Sequence, residues 1–170
     1  MSYQFRPAIL SEVPRIWTIL QQAIQRRKAD GSNQWQDGYP NPEVITQDIQ
    51  KEVGYVITFN NTIIAYTAIL INDEPEYNAI EGKWLTNQDF IVFHRVAVAD
   101  AFLGQGVAKR MLAYIEDFAR QNQIYSLKVD TNFDNAPMLT LLQNNGYVYC
   151  GEVYFRGSPR KAFEKVVTVS

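Results

Sequence analysis

Gly104-Gln105-Gly106 stands between an apolar run, Phe90–Val98, and a segment of helical periodicity that ends near Gln121. Two glycines at this spacing let the backbone turn tightly into a helix whose first N–H groups lack carbonyl partners within the helix. Those N–H groups, at the positive end of the helix dipole, suit an anion, above all a phosphate. Lys109 and Arg110 fall in the first turn of the helix and add positive charge. Three further groups have side chains fit for chemistry. His94 lies in the apolar run, and imidazole is the side chain whose unperturbed chemistry suits a general base near neutrality. The stretches Gln34–Pro40 and Glu81–Trp84 each set aromatic rings beside an acid, in Trp35, Asp37 and Tyr39 and in Glu81 and Trp84. Rings beside a carboxylate can enclose an ammonium group.

The elements that must position these residues follow from periodicity. Phe90–Val98 reads as a buried strand, and Ala108, Met111, Leu112, Ile115, Phe118 and Ala119 form the apolar stripe of the next helix. Upstream, Tyr3–Ile9 reads as a strand. Ser11 is placed to cap a helix carrying Val13, Ile16, Trp17, Leu20, Ala23 and Ile24 on one side, with Pro14 in its permissive first turn. Gly31–Asn41 reads as a loop, and Pro42 opens a short helix toward Glu52. Tyr55–Phe59 and Ile63–Ile71 form a hairpin about Asn60-Asn61. After a polar loop, 72–88, and the central strand and helix, there follow a strand at Tyr125–Asp130 and a helix from Ala136 stopped by Gly146. The last two strands are Tyr147–Phe155 and Lys161–Val169, turning at Gly157-Ser158-Pro159. This order predicts an α/β (α+β) class, with one mixed sheet of about seven strands flanked by about four helices on both faces. All of 1–170 is expected to form a single domain.

The spacing at the glycine turn separates its candidate ligands. A P-loop needs Lys and a hydroxyl residue directly after its last glycine, where this chain has Val107-Ala108. A Rossmann fingerprint wants a small residue where Lys109 stands and an acid roughly twenty residues on, a place that Asp130 approaches. The unit begins at residue 90 of 170, which leaves too little chain for the usual dinucleotide-binding sheet. The turn resembles instead the pyrophosphate loop of the Gcn5-related N-acetyltransferase (GNAT) superfamily, whose pattern is Arg or Gln, two residues, Gly, any residue, Gly or Ala. Gly106-Val107-Ala108 fits its end, Gly104 takes a common further glycine, and Leu103 replaces the Arg or Gln. Asn135, a following helix and Gly146-Tyr147 resemble the family's later Asn, helix and Gly-Phe segment. His94-Arg-Val-Ala-Val98 resembles the central strand of small bacterial acetyltransferases.

That resemblance implies an acetyl-CoA-dependent N-acetyltransferase. It moves an acetyl group from the thioester to a primary amine by direct attack in a ternary complex. It assigns the cofactor to the backbone of Val96, Ala97 and Val98, to Leu103, Gly104, Gln105, Gly106, Val107, Ala108 and Lys109, and to Asn135 and Met138. The Val96 N–H would polarise the thioester oxygen. His94, on the Val96 face if the strand alternates regularly, is the candidate base. Many members carry an acid tyrosine where this chain has Leu142; Tyr149, Cys150 and Tyr154 lie near enough in sequence to be considered, with Tyr154 the choice. Arg95 is expected to be a structural ion-pair partner, with Asp130 the carboxylate considered. Trp35, Asp37, Tyr39, Glu81 and Trp84 are the acceptor candidates, beside the alternative that both tryptophans only anchor their loops.

Composition narrows the function classes. A net charge of −2 and a pI near 5.4 give a nucleic acid no global attraction. No apolar run approaches the roughly 20 residues of a membrane span, and no signal-peptide pattern opens the sequence, so a cytoplasmic setting is expected. One Cys and one His leave no Cys/His zinc site, and no metal is expected. A small-molecule amine is the expected partner, and the resemblance is compatible with a homodimer. Leu103 and Leu142 suit a second class, a non-catalytic acyl-CoA-binding sensor. A dinucleotide-dependent oxidoreductase built on Gly104–Gly106 and Asp130 is the third.

Overall fold

The computed structural model describes Ser2–Val169, and among these residues there are four α-helices and an eight-stranded mixed sheet. The elements are β1 (Tyr3–Pro7), α1 (Val13–Ala29), α2 (Pro42–Gln50), β2 (Gly54–Phe59), β3 (Thr62–Ile71), β4 (Glu81–Gly82), β5 (Phe90–Val98), α3 (Val107–Gln121), β6 (Ser126–Thr131), α4 (Ala136–Asn144), β7 (Val148–Phe155) and β8 (Ser158–Val166). Strand order is β1-β2-β3-β5-β6-β8-β7-β4. The class and helix number match expectation; the extra strand is β4, inside the segment expected to be loop. The chain forms two units. One holds the chain up to Ile69 with Arg95–Leu112, the other Leu70–His94 with the chain from Ala113 on.

In the first unit β1, β2 and β3 are antiparallel neighbours. The β2–β3 hairpin turns at Asn60 (φ 49°) and Asn61 (φ 69°), a left-handed pair that asparagine tolerates. The expected helix after β1 begins differently. Ser11 does not cap it; Leu10–Glu12 is a short 3-10 turn, and α1 starts from Glu12. Glu12 Oε1 accepts from the Ile9 N–H at 2.9 Å and from Arg6 at 3.0 Å, which ties the 3-10 turn to β1, and Glu12 makes no side-chain capping bond to α1. Asn41 caps α2, accepting from Val44 N–H at 3.0 Å. Ile16, Ile19 and Leu20 of α1, Ile45 of α2 and Val56, Tyr66 and Ala97 share one core, against which Trp17 and Trp35 pack. Burying each such aliphatic side chain contributes about 1.5–3 kcal/mol.

In the second unit β5 runs parallel to β6 from Phe90 to Val92, while β6–β8 and β8–β7 are antiparallel. The final turn is Arg156-Gly157, both left-handed, and Ser158 and Pro159 already pair with Phe155 and Tyr154, earlier than expected. Gly82 faces Gly151 across β4 and β7. A Cβ on Gly82 would lie 2.2 Å from the Cys150 carbonyl oxygen, and one on Gly151 2.2 Å from that of Glu81. The two backbones meet because both residues lack side chains. The loop after β4 is fastened by buried Glu164, which accepts from Leu85 N–H at 2.8 Å and Ser126 Oγ at 2.7 Å. Lys128 lies over Trp84 (4.5 Å) and Phe90 (4.3 Å), and burial lowers its ammonium pKa. No helix among the described residues is long and apolar enough to cross a membrane.

Candidate active site

The glycine turn forms where expected. Asp100–Phe102 make a 3-10 turn after β5, Leu103 is extended, and Gly104 (φ 73°) and Gly106 (φ 76°) lie in the left-handed region. A Cβ on either glycine would meet nothing within 4 Å, so conformation rather than crowding demands glycine here. The Arg110 N–H bonds the Gly106 carbonyl at 3.0 Å as α3 begins. The N–H groups before it therefore belong to the helix end that has no intrahelical acceptors. Arg110 itself does not serve the turn. Its guanidinium lies 3.8 Å from the centroid of the Tyr3 ring, whereas Lys109 is exposed. Arg26 of α1 fixes the approach from β5: Nη2 donates to the Val98 carbonyl at 3.0 Å and Nη1 pairs with Asp100. The Asp100 N–H in turn donates to Gln22 at 2.9 Å.

Arg95 departs from the sequence reading in two ways. Its φ of 58° lies outside the extended region that regular alternation assumes, so a shared face for His94 and Val96 no longer follows from strand periodicity. Its partner is Asp48 of α2, not Asp130. Nε donates to Asp48 Oδ2 at 3.0 Å and Nη2 to Oδ1 at 2.6 Å. Nη1 donates to the Tyr39 hydroxyl at 2.6 Å, and the Tyr66 hydroxyl donates to Asp48 Oδ2 at 2.6 Å. Asp48 is 5% exposed and Tyr66 fully buried. Burial first, then the Asp48 charge, pushes the Tyr66 phenol well above its ordinary range. The neighbouring Tyr39 oxygen and Asp48 hold the Arg95 guanidinium charged against the opposing effect of burial.

Asp130 instead accepts from the buried Tyr77 hydroxyl at 2.6 Å, with Arg160 Nη1 at 3.7 Å. An acid held this way by protein donors does not suit the ribose role that a dinucleotide site would give it. Burial, followed by the Asp130 charge, drives the Tyr77 phenol strongly upward. In the same unit His94 Nε2 makes a 2.7 Å hydrogen bond with Glu74 Oε2, both side chains being largely buried. The Tyr154 hydroxyl is shared between Glu81 (2.9 Å) and Glu152 (3.0 Å). These bonds, Glu81 foremost, push it up to about 12, so the phenol keeps its proton through the neutral range. Trp84 donates Nε1–H to the Tyr77 carbonyl at 2.9 Å and packs in the core with Tyr77 and Val153. Asn135 is buried and caps α4, its Oδ1 accepting from Met138 N–H at 3.3 Å.

A model of the acetyltransferase (GNAT) family matches residues 18–147, a span that holds the glycine turn, β5 and Asn135. The chain belongs to the GNAT family. It is 25% identical over 165 residues to the uncharacterized N-acetyltransferase YesJ of Bacillus subtilis (strain 168), covering 95% of this chain and 89% of that protein. Among solved structures it resembles a GNAT-family acetyltransferase of Streptococcus agalactiae 2603, at TM-score 0.90 and 32% identity, covering 98% of this chain and 96% of that one. A putative acetyltransferase of Staphylococcus aureus Mu50 shares the fold at TM-score 0.74 and 22% identity, over 97% and 99% of the two chains.

Sequence reasoning about this GNAT protein missed four polar residues that hold the site's neighbours: Asp48, Tyr66, Glu74 and Tyr77. One signal was available for Asp48. It follows Ile45 at helical spacing, on the buried side of α2, and an acid there needs a cationic partner. Tyr66 stands in a β3 run that is otherwise buried and largely aliphatic, and its hydroxyl likewise calls for an acceptor. Glu74 and Tyr77 sit in a segment whose polarity reads as plain loop.

Proposed function

We propose that this chain is an acetyl-CoA-dependent N-acetyltransferase whose acceptor is a primary amine of a small molecule. The observation that carries the reading is the left-handed Gly104–Gly106 turn at the start of α3, open around both glycines, in a chain of the GNAT family. Acetyl-CoA supplies an activated acyl group and an anionic diphosphate. The N–H groups at the start of α3, from Gly104 to Ala108, are the donors assigned to that diphosphate, with Lys109 adding charge. The backbone of Val96–Val98 is assigned to the arm of the cofactor. Within that stretch, Arg26 already donates to the Val98 carbonyl. The Val96 N–H is the donor to the oxygen on which negative charge grows.

For deprotonation, the imidazole of His94 is the base assigned by its chemistry rather than by a shared face with Val96, and its ring is held by the hydrogen bond to Glu74. The departing thiolate is a moderate base and needs no dedicated acid; Tyr154, with its proton engaged by two carboxylates, is poorly placed to be one. Among acceptor candidates, Asp37 and Glu81 are the exposed acids, Glu81 already accepting from the Tyr154 hydroxyl, whereas Trp35 and Trp84 are partly buried against the cores and act as anchors. The test is free-thiol release from acetyl-CoA across a panel of small amines, with cofactor binding titrated in parallel. Amine-dependent release supports transfer. Binding without release with any amine would turn the reading to an acyl-CoA sensor, which the buried Leu142 suits. Absence of binding would remove the cofactor assignment altogether.

A further inference from the structure

The direction of the Val96 N–H is set by the backbone torsions of Arg95, and Arg95 is left-handed, with φ 58°. For an L residue with a long side chain this conformation is disfavoured, and it persists only where surroundings over-determine it. Here the surroundings are specific. Every guanidinium nitrogen is engaged: Nε and Nη2 by the two oxygens of Asp48, at 3.0 Å and 2.6 Å, and Nη1 by the Tyr39 hydroxyl at 2.6 Å. Asp48 is locked by the Tyr66 hydroxyl at 2.6 Å and by its place on the buried side of α2. A bidentate guanidinium–carboxylate pair fixes orientation as well as distance, and a side chain held at both edges of its plane cannot follow a flipped backbone.

We propose that Asp48, Tyr66 and Tyr39 are positioning residues for acetyl transfer: by clamping the Arg95 guanidinium they keep Arg95 left-handed and aim the Val96 N–H at the acyl oxygen. The inference rests on the role given to Val96 above. It moves Tyr39 from an acceptor contact to a support of the oxyanion donor, acting through Arg95.

Two double variants isolate the backbone from the ion pair. Asp48→Asn with Arg95→Gly and Asp48→Asn with Arg95→Ala both remove the clamp and leave no buried charge unpaired. They differ in the access of residue 95 to positive φ, which glycine enters freely and alanine does not. Turnover at saturating acetyl-CoA should be roughly five- to thirty-fold higher in the glycine than in the alanine double variant. KM for acetyl-CoA should be alike in the two. An active wild type with equal turnover in both double variants would overturn the clamp while leaving acetyl transfer intact. A wild type that transfers to no amine overturns the parent reading, and the clamp's role with it. Should the double variants fail to fold, Tyr39→Phe, which removes one hydroxyl, gives the same decision. It should lower kcat about ten-fold with amine KM unchanged, and an effect on amine KM alone would refute the proposal.

Discussion

Replacing Asp48 by asparagine tests how much the buried cluster contributes to stability. The carboxylate receives three donors: Arg95 Nε and the Tyr66 hydroxyl at Oδ2, and Arg95 Nη2 at Oδ1. An amide has a single acceptor oxygen, so in either orientation at least one donor faces an NH2 group. Tyr66 can rotate its hydroxyl to accept, but the guanidinium cannot. With Arg95 at 11% side-chain exposure and Asp48 at 8%, little water is available to replace the lost charge. Breaking a buried pair from one side costs about 3–5 kcal/mol, a large part of the roughly 5–15 kcal/mol of a typical domain. At about 2–4 °C per kcal/mol for a chain of this size, Asp48→Asn should lower Tm by about 6–20 °C. Urea titration of Asp48→Asn should show the same loss at unchanged m-value. The paired change Asp48→Asn with Arg95→Gln restores charge balance and should recover much of the loss. A single-variant loss below about 1 kcal/mol would refute the reasoning, since only a hydrated cluster loses so little on losing its charge.

Three further outcomes follow from other contacts. Arg6 holds the Glu12 carboxyl below its ordinary value of 4.5, so the pair's stabilisation is present above that value and fades as pH falls through the lowered one. Glu12→Gln should therefore cost less than about 1 kcal/mol at neutral pH, Arg6 being partly exposed, and the deficit in paired urea melts should shrink on acidification below 4.5. Gly151→Ala drives a Cβ to 2.2 Å from the Glu81 carbonyl at a φ of 141° and should cost about 2–4 kcal/mol. Equal melts of wild type and variant would contradict the β4–β7 pairing. Burial and then the Glu164 charge raise the Cys150 thiol, which is 7% exposed. Iodoacetamide should label it at least about ten-fold more slowly in the native chain than in urea; equal rates would place the thiol at the surface.

Local chemistry made part of this structure legible. The Gly104–Gly106 turn and the Asn60-Asn61 hairpin both need left-handed residues, and both carry residue types that supply them. The stripe of α3 was likewise readable, with Met111 and Ile115 fully buried as periodicity requires. What escaped was set by partners remote in sequence. β4 pairs with β7 where Gly82 meets Gly151, and neither glycine announces the other. Arg95 is left-handed within β5 although arginine has no preference for positive φ; its side chain is held by Asp48 and Tyr39. Alternation along β5 is therefore no guide to the placement of His94 relative to Val96, while the strand's bounds agree with the sequence reading.

The Tyr39–Arg95 bond has a consequence for anyone wishing to redesign what this protein accepts. The Gly31–Asn41 loop looks interchangeable, being rich in turn residues and carrying exposed Gln36, Asp37 and Gly38. Its last tyrosine nevertheless fastens to the strand assigned to the thioester. A transplanted loop lacking a hydroxyl at position 39 would alter turnover for every acceptor alike. Loop libraries should vary the exposed positions 36–38 and leave Trp35 as the anchor and Tyr39, Asp48 and Arg95 as one inherited block.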